Sequence, residues 1–122
     1  MNKIEEAFAD YFEHWGIRLP AEALQARQSG EIRSHVWAIQ YQFGTNERGA
    51  FLDFYASHRM TNDRHLRIYE SGRTEELPSY FDMIVYPANA TKNQREQAER
   101  EYRQHNAKVS EELKRKGFRR DW

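Results

Sequence analysis

The stretch from Tyr55 to His65, YASHRMTNDRH, contains most kinds of side chain that an active site uses. Its two histidines could bind a metal ion, because imidazole nitrogens are common metal ligands. A histidine that is oriented by a carboxylate could instead act as a general base on a nearby hydroxyl group. The strands that position these side chains decide which chemistry is open to them.

Alternation along the chain separates the two histidines. Both ends of the stretch lie in predicted strands, where successive side chains point to opposite faces of the sheet. His58 falls on the face of Leu52, whereas His65 falls on the other face with Arg67. We therefore predict no metal site, and we place His58 at the edge of the core.

Polar side chains gather on one face of these two strands. They are Asp53, Tyr55, Ser57 and Arg59 from the first strand and His65, Arg67 and Tyr69 from the second. Cross-strand neighbours lie about 5 Å apart, so the side chains form one patch. Arginine forks and tyrosine hydroxyls suit a carboxylate or a phosphate. We interpret Asp53, Tyr55, Arg59, His65, Arg67 and Tyr69 as a binding surface for an acidic or phosphate-bearing partner, either a protein or a small anionic ligand.

Two alternatives apply to the same face. In a small enzyme, His65 would be the base, Asp53 would orient it, and Tyr55 or Ser57 would be the group that it activates. No nucleophile elbow and no glycine-rich phosphate loop accompanies these residues in the sequence. A solvated face of ion pairs without function is the other alternative. A helix that covered the face would favour a small ligand, whereas an open face would favour a macromolecule.

Hydrophobic periodicity divides the 122 residues into helices at both ends and strands between them. Helical periodicity predicts helices over residues 2–15, 20–28 and 91–116. The last helix also has the spacing of a capping box at Thr91 and of a Schellman stop at Gly117. Alternation predicts strands over residues 31–43, 50–60 and 64–70. A candidate fourth strand covers residues 80–86, bounded by prolines. Short connections favour a three- to four-stranded antiparallel meander, so the predicted fold is a single α+β domain.

The composition restricts the classes of function. Nineteen Lys and Arg residues balance nineteen Asp and Glu residues, so overall charge provides no attraction to nucleic acid or to an anionic membrane. The chain contains no cysteine, which excludes disulfides and thiolate chemistry. Its amino-terminal MNKIEEAFADYF carries acids where a signal peptide would be apolar. We expect a cytoplasmic protein without a cofactor or a membrane partner.

The carboxy-terminal helix and tail suggest two further interactions. The tail interleaves cations with aromatic rings: Lys114, Arg115, Lys116, Arg119 and Arg120 with Phe118 and Trp122. Such a tail could bind RNA weakly, although cations at a helix end also complement the helix dipole. An apolar stripe runs along the helix through Ala98, Tyr102, His105, Val109 and Leu113. The stripe either packs on the sheet or the first helix or joins two chains, so we expect a monomer or a homodimer.

Overall fold

The computed structural model describes residues 2–119. The helices are α1 (Lys3–Tyr11), α2 (Ala21–Ala26) and α3 (Lys92–Lys116), with a 3₁₀ helix, Glu13–Trp15, after α1. The strands are β1 (Gly30–Ser34), β2 (Trp37–Asn46), β3 (Gly49–His58), β4 (Arg64–Tyr69) and β5 (Thr74–Glu76). They form one five-stranded antiparallel sheet in the order β1-β2-β3-β4-β5. The chain is a single α+β domain, and the predicted fold class is confirmed with one strand more than expected.

Different helices cover the two faces of the sheet. On one face, Phe8 of α1 and Phe12, which follows α1, pack against the middle of β3, with their rings centred 5.3 and 5.5 Å from the ring of Phe54. On the opposite face, Val109 and Leu113 of α3 cluster with Tyr55. The end of the apolar stripe therefore packs on the sheet and not on α1. The buried apolar residues of the central strands therefore fall into two separate clusters, one on each face of the sheet, as period-two alternation requires.

The predicted strand over residues 31–43 is two strands. Ser34 pairs with Trp37, which leaves His35 and Val36 as a two-residue turn between β1 and β2. His35 has a φ of 52°, which is uncommon for a residue with a side chain. The turn contains no glycine, asparagine or proline, so the usual sequence signal of a hairpin is missing.

The candidate strand over residues 80–86 is wrong. The short strand β5 pairs with β4 in its place. Backbone groups at the start of the segment bond to side chains. The N–H of Phe81 donates to the Asn106 side chain at 2.9 Å, and the same side chain donates to the carbonyl of Phe81 at 3.2 Å. The N–H of Tyr80 donates to the Tyr55 hydroxyl at 3.2 Å. These bonds hold the segment against α3 and β3 without making it part of the sheet.

Both ends of α3 have the predicted caps. The N–H of Thr91 donates to the side chain of Gln94 at 2.8 Å, and the N–H of Gln94 donates to the Thr91 hydroxyl at 3.2 Å. At the other end, Gly117 has a φ of 79°, and Phe118 donates its N–H to the carbonyl of Leu113 at 2.8 Å. This capping box and Schellman-type stop fix where the helix begins and ends.

The two halves of the apolar stripe on α3 have different neighbours. Val109 and Leu113 are buried against the sheet. Ahead of them, the His105 ring stacks on Phe81, with centroids 3.7 Å apart, and its Nε2 bonds to the carbonyl of Ser79 at 2.7 Å. His105 is a partly buried structural residue, as its place on the stripe suggests. The first half of α3 therefore packs on residues 81–86.

Replacing His35 with glycine should stabilise the protein by about 0.5 to 1 kcal/mol, because glycine adopts a left-handed conformation without the steric cost of a Cβ atom. Val36→Gly is the matched control. It should destabilise the protein, because Val36 does not have a positive φ and glycine adds freedom to the unfolded chain. Urea unfolding of the three proteins measures both changes. A less stable His35→Gly variant would contradict this turn geometry.

Candidate functional site

The predicted recognition face brings its side chains together, but α3 covers it. Tyr55 pairs with His65 and Asp53 with Arg67 across β3 and β4, as alternation predicts. Asp53, Tyr55, Ser57 and His65 are each at most 1% exposed. We call Asp53, Tyr55, His65 and Arg67, together with Lys116 of α3, the polar layer. It lies between the sheet and α3, and the side chains of Arg67 and Lys116 are 22% and 13% exposed at its border.

Asp53 is the centre of the polar layer. Nε and a terminal nitrogen of Arg67 donate to its two carboxylate oxygens at 2.7 and 2.8 Å. The Lys116 ammonium lies 3.2 Å from Oδ2 of the same carboxylate. The bonds to Asp53 raise the pKa of Arg67, whose guanidinium also lies 3.8 Å from the centre of the Phe51 ring. The fork of Arg67 is engaged by Asp53, so it does not form an anion clamp.

His65 is engaged at both ring nitrogens. Nδ1 lies 2.9 Å from the carbonyl oxygen of Pro78, which can only accept, so we assign the proton to Nδ1. Nε2 is then the acceptor for the Lys116 ammonium at 2.9 Å. Burial lowers the pKa of His65 to about 4; the Pro78 carbonyl opposes this shift and Lys116 adds to it. The lone pair that a general base would use is occupied by Lys116.

The side chains of YASHRMTNDRH build the turn between β3 and β4. The Tyr55 hydroxyl donates to Asp63 at 2.5 Å, and the other Asp63 oxygen accepts the N–H of His58 at 3.3 Å. His58 Nδ1 accepts the N–H groups of Met60 and Thr61, each at 3.0 Å. These are local side-chain-to-backbone bonds that shape a turn. The stretch looks like an active site because the same kinds of polar side chain are used here to build the turn.

The last two predicted recognition residues differ in position. Arg59 follows the end of β3 and is exposed, with its N–H bonded to the carbonyl of Val36 at 2.9 Å. Tyr69 is buried, and hydrogen bonds with the side chains of Asn46 and Arg67 lower its pKa. The structure thus brings together five of the six predicted residues, and Arg59 lies apart from them.

Most cations of the predicted RNA-binding tail have internal partners. Lys116 belongs to the polar layer, Arg115 pairs with Glu112, and Arg119 bonds to Glu31 at 2.9 Å. Phe118, the ring that would stack on a base, is buried beside His65. Arg120 and Trp122 lie outside the described residues. Within residues 2–119, the tail does not present an aromatic ring beside unpaired arginines.

Sequence reasoning missed Lys116 as a member of the polar layer. The signal was present, because Lys116 follows Val109 and Leu113 at positions i+7 and i+3 and so lies on the same side of the helix. The carbonyl of Pro78 had no such signal. Backbone atoms of an irregular segment are placed only by the tertiary structure.

The metal hypothesis has no geometric support. His58 packs edge-on against Trp37, with ring centroids 4.5 Å apart, on the face opposite to His65. Among residues 2–119, no three histidine, aspartate or glutamate side chains are grouped closely enough to hold a metal ion.

The outer surface of α3 forms a groove of about 500 Å³ with residues 81–85 and the tip of the β3–β4 turn. We call it the turn–helix groove. Its lining is Asn62, Phe81, Asp82, Met83, Ile84, Val85, Ala98, Glu101 and Tyr102. Met83 is 71% exposed and Val85 80% exposed, and Met60 at the turn is 82% exposed. Clustered apolar side chains at such exposure are typical of an interaction surface.

Comparison with known proteins identifies no relative. No family model, curated protein or solved structure matches this chain. In the part of the chain that the structure describes, every helix is too short or too polar to cross a bilayer. We therefore infer the function from the geometry of the polar layer and of the turn–helix groove.

Asp53→Asn should lower the free energy of unfolding by about 3 to 5 kcal/mol, because two largely buried cations lose their counter-charge. Glu75→Gln is the control. Glu75 pairs with Arg48 at 3.0 Å near the surface, so its loss should cost less than about 1 kcal/mol. Urea unfolding followed by tryptophan fluorescence measures both. Similar small losses in the two variants would show that the Asp53 pairs contribute little to stability.

Stability should fall as the pH drops from about 6.5 to about 4, because only the unfolded chain then binds a proton at His65. The pKa difference corresponds to about 3 kcal/mol as an upper estimate. His65→Asn keeps a donor for the Pro78 carbonyl and cannot titrate, so its stability should depend less on pH in this window. Urea unfolding at pH 7, 6, 5 and 4 compares the two proteins. Parallel pH curves would contradict the buried, neutral state of His65.

Proposed function

We propose that this chain is a small non-catalytic binding module that recognises a segment of a partner protein through the turn–helix groove. The observation that carries the proposal is the exposure of Met83 and Val85, which line a groove of about 500 Å³. The segment that holds Met83 and Val85 is not part of the sheet, yet Asn106 binds the backbone of Phe81 and positions it. Apolar groups held in this way are ready to contact a partner without rearrangement.

A protein segment fits the groove better than a small molecule does. Small-molecule sites are concave and bury most of their ligand. The turn–helix groove is open to solvent beside one turn of α3, residues 98–102, and its lining includes the exposed side chains of Met83 and Val85. An open, partly apolar groove beside a helix is the kind of surface that binds another helix or an extended segment.

Binding through the polar sheet face, which was expected from the sequence, is less well supported than binding through the turn–helix groove. Asp53, His65 and Arg67 are bonded to one another or to Lys116, so an acidic or phosphate-bearing partner would have to displace α3 to reach them. The same cover keeps a substrate from His65, which weakens the enzyme alternative. RNA binding through the described part of the tail would need Phe118, which is buried, and Arg115, Lys116 and Arg119, which are paired. A cytoplasmic location and a monomeric or homodimeric state stay predictions from the sequence.

A photo-crosslinking amino acid at Val85 should give a discrete protein adduct in cells that produce this chain. The same amino acid at Glu22, exposed on α2, should give none. Adding Met83→Asp to the Val85 probe should remove the adduct and leave the melting temperature within about 2 °C, because a largely exposed side chain contributes little to folding. Adding Arg59→Ala should have no effect. An adduct that survives Met83→Asp but is lost with Arg59→Ala would instead place recognition at Arg59 on the β3–β4 turn.

A further inference from the structure

The turn–helix groove continues into a polar depression. The second depression has a volume of about 370 Å³ and shares Asn62 and Phe81 with the groove. Glu76 lies on its far side, and Thr61 and Ser79 add hydroxyl groups. One binding surface therefore has an apolar part along α3 and a polar part that ends at β5. A partner that fills both parts must itself be amphipathic.

The walls of this surface are held by bonds within the chain. The Phe81 ring stacks on His105 with an interplanar angle of 7°, and the Tyr86 hydroxyl donates to Glu99 at 3.0 Å. Ser79 donates its hydroxyl to the carbonyl of Asp63 at 3.3 Å, which ties the segment to the β3–β4 turn. A partner would therefore meet a surface that is already formed, and binding would lose less free energy to ordering.

Carboxylates dominate the charge of this surface. Asp82 and Glu101 line the apolar part, and Glu76 is the exposed carboxylate of the polar part. Asp63 also borders the polar part, but it is buried and bonded to Tyr55 and His58. Arg64 is the one cation among the described lining residues of the two depressions, and its guanidinium lies 5.4 Å from the centre of the Tyr11 ring on α1. Interfaces are complementary in charge, so an acidic lining favours a basic partner. The charge of this expected partner is opposite to the charge of the acidic partner expected for the sheet face.

A second copy of the chain is a poor match for this requirement. Its most basic stretch lies at the end of α3, where Lys116 and Phe118 are packed inside and Arg119 pairs with Glu31. Lys116 could reach a neighbour only if α3 left the sheet, and Phe118, the ring beside it, is buried. We therefore assign the basic segment to a different protein.

On the basis of the proposed function, we infer that the partner segment is a basic amphipathic helix. Its apolar side chains would lie against Met83, Val85 and Tyr102, and its lysines or arginines would lie beside Glu101 and Glu76. A helix presents apolar groups at every third or fourth position, with charged groups flanking them, which matches an apolar groove with carboxylates along it. Desolvated apolar contact would provide affinity, and the carboxylates would select the sign of charge.

The test uses two designed peptides, each of roughly 18 residues, long enough for a helix of about 27 Å. Both carry the same leucine face, and the remaining positions are lysine in one and glutamate in the other. Titration into the isotope-labelled full chain is followed by amide chemical shifts. The lysine peptide should bind saturably and shift residues 81–85 and 98–102, and the glutamate peptide should not.

Glu101→Lys should lower the affinity for the lysine peptide roughly tenfold, which corresponds to about 1.4 kcal/mol of binding free energy. Glu111→Lys makes the same charge change on an exposed residue of α3 outside the groove and should leave the affinity within about twofold. Val85→Asp should abolish apolar docking while the amide spectrum stays that of a folded protein. Equal weakening by Glu111→Lys would mean that charge attraction is general, and it would overturn the site.

The remaining outcomes separate this inference from the proposed function. If the glutamate peptide binds the groove as well as the lysine peptide does, the basic partner is refuted and the groove remains a recognition site. If neither peptide shifts residues 81–85 or 98–102, both ideas fail. If those residues shift with protein concentration alone, a second copy occupies the groove and the inference of a basic partner from another protein is overturned.

Discussion

The rest of the structure depends on the buried carboxylate of Asp53. A charge removed from water must be paired and hydrogen-bonded, and Asp53 meets this requirement with Arg67 from β4 and Lys116 from α3. One side chain thereby links two strands and a helix that is distant in sequence. Any register of β3 and β4 that separated Asp53 from Arg67, or any position of α3 that removed Lys116, would leave a buried charge without its partners.

This constraint determines where α3 can point. Lys116 and the Schellman-type stop at Gly117 anchor its carboxyl end, and Val109 packs beside them on the sheet. The other half of the helix meets residues 81–86, which are held through Asn106 and His105. The turn–helix groove therefore follows from the anchoring at the far end of the helix. A buried polar layer and an exposed apolar groove are two results of the same arrangement.

The sequence predicts the fold class, the caps of α3 and the shared face of Asp53, Tyr55, His65 and Arg67, because each depends on local periodicity or spacing. It does not reveal the turn at His35, since alternation continues through the turn without a glycine. It mistakes residues 80–86 for a strand, because apolar and β-branched residues favour extended structure whether or not a neighbouring strand is present. Whether the polar face is covered depends on α3, and sequence patterns do not position a helix over a sheet.

YASHRMTNDRH shows how a catalytic set of side chains differs from a structural one. In an active site, at least one base or donor keeps a hydrogen-bonding position that faces a space a substrate can enter. Here Tyr55 and His58 bind within the turn, and both nitrogens of His65 have partners inside the polar layer. The low pKa of His65 has the same origin, because a buried imidazole beside an ammonium is held neutral. A perturbed pKa therefore indicates function only when the group can also reach a ligand, and His65 cannot reach one while α3 covers it.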